Sequence, residues 1–203
     1  MEKTPFHYLL AFPSFYQWVQ TLLFRKDISN AFYQSVGSCQ GLTVLDVGCG
    51  TGADAAYYDQ ANYYGIDLSS KNISYAQKHF SNLGQFFCVS IENLADLSLN
   101  LIDVVIMKGV LHHLSDEKIV DFFKQIKPCL SSNARFYSID PVFVEKQHFI
   151  SKFLVSLDRG FYVRTYGEYL HLLKTLDLQI IDHRCLFQAL PPYDRMMMTI
   201  GFD

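Results

Sequence analysis

Residues 44–52 read "VLDVGCGTG". Two valines and a leucine form a short apolar run, one acid interrupts it, and glycine then recurs at every second position. A strand that turns sharply into a helix needs glycine where φ is positive or where a side chain would collide. The helix that follows offers its first free N–H groups to a ligand. The stretch therefore predicts a strand, a tight glycine loop and a helix start with a binding site at their junction.

The same alternation continues outward. Further strands are predicted over 63–66, 85–89, 102–107, 135–139, 179–187 and 196–201. Helices are predicted over 53–58, 71–79, 116–129, 146–157 and 166–176. In the helix at 116–129, Ile119, Val120, Phe122, Phe123 and Ile126 form the expected buried side. The last helix opens on Thr165-Tyr-Gly-Glu168, the spacing of a capping box. Strands without polar alternation, each followed by a helical pattern, indicate a parallel sheet covered on both faces. Upstream, Phe15, Trp18, Val19, Leu22 and Leu23 recur at helical spacing after Pro13, and a second helix is expected over 29–36. The expected organisation is one α/β domain over 1–203, with residues 1–38 as a helical extension or lid and 39–203 as the core.

Composition narrows the function classes. Half of the 203 residues are hydrophobic and only 18% are charged, enough apolar material for a substantial core. A net charge of −3 provides no basic face for nucleic acid. The five cysteines are scattered and odd in number, which argues against a disulfide framework and suits a reducing compartment. The aromatic N-terminal run lacks the basic start and cleavage site of a signal peptide, and polar residues and Pro13 interrupt it, so stable membrane insertion is not expected. These features point to a cytoplasmic protein.

The ligand can be narrowed further. Asp67 ends the second strand, about 20 residues beyond Asp46, where an acid accepts hydrogen bonds from ribose hydroxyls. The pair implies an adenosine-containing ligand. A dinucleotide fingerprint can be laid on Gly48, Gly50 and Ala53. However, the glycine spacing is G-x-G-x-G, and Asp46 would repel a pyrophosphate. A carboxylate there suits an ammonium, a group that S-adenosylmethionine carries together with a ribose and no phosphate. A nicotinamide-dependent oxidoreductase and a ligand-free tight turn remain alternatives at this stage.

"VLDVGCGTG", "YYGIDLS" (63–69) and "IDVVIMKGVLHHL" (102–114) resemble, in order and separation, three motifs of the class I S-adenosylmethionine-dependent methyltransferases. "FYQWVQTLL" (15–23), "SIDPVFV" (138–144), "SLDRGFYVRTYGEYL" (156–170) and "PPYDRMMMTI" (191–200) are similar to a bacterial subgroup, some of it associated with surface-polysaccharide genes. The resemblance implies a Rossmann-like, doubly wound seven-stranded sheet of order 3-2-1-4-5-7-6, its last strand antiparallel. It also implies methyl transfer from S-adenosylmethionine, leaving S-adenosylhomocysteine, to a small-molecule or lipid-linked acceptor. Oligomeric state stays open, monomer or homodimer. A scaffold that keeps the fold without turnover is the competing reading.

On this resemblance the cofactor side comprises Tyr16, Asp46, Gly48, Cys49, Gly50, Gly52, Asp67, Leu68, Ser90, Ile91, Glu92 and Lys108. Asp46 would anchor the methionine ammonium, Asp67 the ribose, and Leu68 would pack on the adenine. Where many relatives carry an acid after the third strand, this chain reads Val89-Ser90, with Glu92 as a substitute. Lys108 is an unusual charge for its place and would meet a carboxylate. The acceptor side would draw on His112, Asp140 and Tyr162, with Arg164 and Tyr193 nearby. The structural alternative for His112 is a bond to a neighbouring loop, and for Arg164 a loop fastened by Arg–Asp pairs. No metal is expected, because no third ligand lies at zinc spacing from His112 and His113.

Overall fold

A computed structural model describes residues 26–202, apart from residues 98, 100 and 159. The helix expected over 15–23, with Tyr16, lies outside the described residues. The described chain opens with α1 (Lys26–Val36), followed by β1 (Thr43–Val47) and a 3₁₀ turn at Ala53–Tyr58. Next come β2 (Asn62–Asp67), α2 (Ser70–Phe80), β3 (Gln85–Cys88) and a 3₁₀ segment at Ile91–Leu97. β4 (Ile102–Lys108), α3 (Asp116–Ile126) and β5 (Leu130–Pro141) complete the first five strands. α4 (Phe149–Ser156), α5 (Tyr166–Thr175), β6 (Gln179–Ala189) and β7 (Pro192–Gly201) finish the chain.

The seven strands form one sheet of order β3-β2-β1-β4-β5-β7-β6. β1 to β5 are parallel, whereas β7 runs antiparallel to both β5 and β6. The order reverses at β1, which pairs with β2 on one side and β4 on the other. In open α/β sheets that reversal leaves a crevice at the carboxyl ends of the strands, where ligands bind.

Apolar residues on both faces of the central strands explain the missing polar alternation. Leu45, Val47, Val105 and Met107 pack with Ile119, Phe122, Phe123 and Ile126 of α3 and Tyr169, Leu172 and Leu173 of α5. Val44, Val104 and Ile106 pack on the opposite face with Ile28, Phe32 and Val36 of α1 and Ile73 and Ala76 of α2. Val120 departs from its expected place: it is only half-buried, at the edge of the α3 stripe.

Local chemistry sets the boundaries. Ser69 caps α2 through Asn72 N–H (3.3 Å), and Ser115 caps α3 through Lys118 N–H (3.4 Å). Thr165 and Glu168 make both bonds of the capping box. α4 begins at Phe149, three residues later than its periodicity suggests, because His148 Nδ1 takes the Ile150 N–H (3.2 Å). The segment at 53–58 is 3₁₀ rather than α-helical; its N-cap, Gly52, is left-handed and has no side chain to hold the first turn. β6 and β7 reach farther than their apolar runs, because Ala189 pairs with Pro192 and carries the ladder almost to the hairpin tip.

Phe136 on β5 is fully buried against Phe123, with ring centroids 5.2 Å apart. Phe136→Ala should lower the unfolding free energy by about 3–5 kcal/mol in urea titration. Phe149→Ala, at a ring 75% exposed, should change it by less than about 0.5 kcal/mol.

Candidate active site

The glycine loop sits at the carboxyl end of β1. Gly48, Gly50 and Gly52 have φ of +77°, +55° and +75°. A Cβ at Gly48 would lie 2.5 Å from Val110, and one at Gly52 would lie 2.7 Å from the Phe86 ring. These two glycines serve packing within the protein. Gly50 differs, because a Cβ there would meet nothing within 4 Å. Gly50 is thus where the backbone faces open space and a ligand can approach.

The loop is held from both sides. Gly48 and Cys49 donate their N–H groups to the Ile66 carbonyl at 2.8 and 3.0 Å. Asp67 accepts the Gly50 N–H on Oδ2 at 3.0 Å and the Ser69 N–H on Oδ1 at 2.8 Å. Asp67 is therefore not the α2 cap; it ties the glycine loop to the turn after β2. Next to it Leu68 is 77% exposed, a bare apolar surface at the rim. The Cys88 thiol donates to the Leu68 carbonyl at 3.6 Å, linking this turn to the end of β3. Ser90 and Ile91 follow, both half-buried. Glu92 turns toward α3, where Lys118 Nζ reaches its Oε1 at 2.8 Å and, through that hydrogen bond, holds the carboxyl down to about 2.

Asp46 is 2% exposed and accepts the Tyr63 hydroxyl at 2.5 Å. Burial, reinforced by the charge of Asp54, pushes its carboxyl up to about 7, against the Tyr63 hydrogen bond and the charge of Lys108. Lys108, at the end of β4, forms an ion pair with Asp54 and donates to the Tyr33 hydroxyl at 3.0 Å. Tyr33 comes from α1 and stacks on Tyr57 at 3.6 Å between centroids. Ser29, Tyr33, Asp54, Tyr57 and Lys108 line a cavity of about 460 Å³ beside the glycine loop.

Residues 44–133 match the family model described as "Methyltransferase domain". The chain is 42% identical over 83 residues to the ubiquinone biosynthesis O-methyltransferase of Paracidovorax citrulli, covering 38% of this chain and 35% of that protein. It is 26% identical over 144 residues to the mRNA cap guanine-N(7) methyltransferase of Schizosaccharomyces pombe, covering 64% and 38%. Among solved structures, the 1,6-didemethyltoxoflavin-N1-methyltransferase of Burkholderia thailandensis, with 1,6-didemethyltoxoflavin and S-adenosylhomocysteine bound, superposes with a TM-score of 0.70. That match has 18% identity and covers 99% of this chain and 91% of the other. Over residues 44–133 the chain is similar to this methyltransferase-domain family, and the superposition shows that it shares the fold of such enzymes. It spans little more than a third of the length of the curated relatives it matches.

The second half of the fold builds the other rim. His112, in the 3₁₀ turn after β4, is buried between two acids. Its Nδ1 lies 2.8 Å from Asp140 Oδ1 and its Nε2 3.1 Å from Asp158 Oδ1. Burial opposes charge on the ring, but the hydrogen bonds it donates to Asp140 and Asp158 outweigh it and push His112 up to about 9. Asp140 also accepts the His112 backbone N–H at 3.2 Å. Asp158 takes the Tyr193 hydroxyl at 2.9 Å and the Gly160 N–H at 3.0 Å. Tyr162 donates its N–H to the His112 carbonyl at 3.0 Å, while its side chain stays 44% exposed. Arg164 is buried, bonded to Asp116 and to the carbonyls of Leu111, Leu114 and Tyr162. Its guanidinium fastens the turn after β4 to the segment at 160–165.

The structure thus sorts the sequence candidates into two groups. Asp46, Gly50, Asp67, Leu68 and Lys108 gather at the carboxyl ends of β1, β2 and β4. His112, Asp140 and Tyr162 gather after β4 and β5. Sequence reasoning passed over Tyr63, Asp54, Tyr33 and Asp158. Each partners a candidate through a tertiary contact with no signal in local spacing.

Asp46 supplies a pH test. Its folded-state pKa is raised above the ordinary 3.8 to about 7. The folded protein thus retains a proton that the unfolded chain has already lost, and this contribution to stability falls as pH rises from about 4 to about 7. Asp46→Asn should flatten that part of the stability–pH profile, measured by urea denaturation at half-unit steps.

Proposed function

We propose that this protein transfers the methyl group of S-adenosylmethionine to a small-molecule or glycolipid-precursor acceptor in the cytoplasm. The observation that carries the reading is the set of groups at the sheet's switch point. An open backbone at Gly50, a ribose-type acid at Asp67, an exposed apolar Leu68 and a buried carboxyl at Asp46 stand at one rim. They match, group by group, what an adenosine bearing an amino acid needs. In this reading residues 1–38 form a helical extension over the site and residues 39–203 the catalytic core.

S-adenosylmethionine supplies an electrophilic methyl group on a positively charged sulfur. Asp46 counters the ammonium, and Lys108, drawn off Asp54, counters the carboxylate. Asp67 faces the ribose and Leu68 the adenine, with Ser90 and Ile91 closing the pocket. Because Lys118 occupies Glu92, adenine selection falls to Ser90 and the backbone. The charge on sulfur vanishes as the methyl moves, so the protein's task is alignment and exclusion of water, contributing up to roughly 7–11 kcal/mol. His112 and Asp140 hold the acceptor rim in place, since both His112 nitrogens are engaged. Tyr162 is the side chain presented to the acceptor.

The test is calorimetric titration with S-adenosylmethionine and S-adenosylhomocysteine, followed by an acceptor screen with methyl-labelled cofactor. Saturable binding is expected, and silence at millimolar ligand would sink the reading. Asp67→Ala should weaken binding at least about tenfold, the loss of one charged hydrogen bond. Because Asp67 also holds Gly50 and Ser69, its loss should lower the thermal midpoint of the free protein by a few degrees, on the order of 1–3 kcal/mol.

A further inference from the structure

The turn after β4 carries two consecutive histidines, and spacing along the chain offers them no third ligand. The fold provides one. Asp158, just beyond α4, is brought against the turn, and donor atoms of His112, His113 and Asp158 all lie within 4.8 Å of one another. His112 Nε2 and Asp158 Oδ1 stand 3.1 Å apart, within a few tenths of an ångström of the separation of two ligands on one tetrahedral ion with bonds of about 2.0–2.2 Å.

We propose that His112 Nε2, a ring nitrogen of His113 and Asp158 Oδ1 form a binding site for a divalent transition-metal ion, zinc being the best match. Two imidazoles and one carboxylate favour such an ion over magnesium or calcium, which prefer all-oxygen shells. The surroundings are those of a metal site as well. His112 Nδ1 is held by Asp140 at 2.8 Å. Asp158 is oriented by the Tyr193 hydroxyl at 2.9 Å and the Gly160 N–H at 3.0 Å. A carboxylate behind a histidine ligand, and hydrogen bonds behind a carboxylate ligand, set ring orientation and raise metal affinity. Charge agrees: two carboxylates, Asp140 and Asp158, flank the His112 ring, and a dication balances both. His112 is buried and His113 exposed, so an ion can enter from the His113 side.

The site adjoins the acceptor rim but does not depend on the methyltransferase reading, since it can be measured without S-adenosylmethionine. The full chain, free of any affinity tag and stripped with EDTA, is titrated with zinc by calorimetry. It is also titrated with cobalt, whose visible absorption reports tetrahedral geometry. One ion per chain is expected, with a cobalt spectrum of four-coordinate intensity. His113→Ala should lose at least tenfold in zinc affinity while keeping its thermal midpoint in EDTA, because that ring is exposed. Asp158→Asn should also lose the cobalt spectrum. No saturable binding up to millimolar zinc would overturn the proposal. So would a His113→Ala protein that binds zinc as tightly as the parent, which would place the ion at another histidine.

Discussion

A carboxyl sealed beneath the glycine loop governs this half of the molecule. Burying an ionised Asp46 carries a desolvation cost of several kcal/mol unless hydrogen bonds and opposite charge offset it. The Tyr63 hydroxyl at 2.5 Å supplies the hydrogen bond, and Lys108 supplies positive potential while engaged with Asp54 and Tyr33. Each of these groups arrives on a different element: β1, β2, β4, the 3₁₀ turn after β1, and α1. The elements must therefore be in register before the acid is tolerable. A ligand ammonium would complete the compensation that the protein leaves partial.

The opposite rim follows the same logic with the signs exchanged. There a buried imidazole, His112, is flanked by the acids Asp140 and Asp158. Arg164 spends its donors on one carboxylate and three backbone carbonyls, so the turn after β4 cannot move without the segment at 160–165. A Cβ at Gly160 would lie 2.0 Å from the His112 ring, and the approach between segment and ring is correspondingly close. One rim is thus arranged around the glycine loop and the other around a histidine, with the sheet edge between them.

Much of the fold was legible from periodicity. Thr43–Val47 and the starts of β3, β4 and α3 stand where the apolar pattern places them, because buried parallel strands and amphipathic helices must match their surroundings over many residues. Legibility failed where a single contact decided. His148 shortens α4 by capping it. Backbone pairing at Ala189 and Pro192 extends β6 and β7 through residues that read as a break. Glu92 reads as a substitute for an adenine acid, yet Lys118, 26 residues away, holds it elsewhere.

"VLDVGCGTG" by itself determined the crossover from strand to loop to helix. Its glycines permit positive φ that other residues resist, and its acid stands where a parallel sheet ends. With the motifs at 63–69 and 102–114 it also carried the resemblance to methyltransferases, and that resemblance implied the strand order that the sheet has. Only the tertiary structure decided what each glycine is for. Val110 and Phe86 exclude side chains at Gly48 and Gly52, leaving Gly50 as the open one. It alone gave Asp46 its tyrosine and Lys108 its aspartate, and it brought Asp158 to a histidine 46 residues before it in the chain. Such pairings depend on distances in space between residues far apart in sequence, and local spacing carries no record of them.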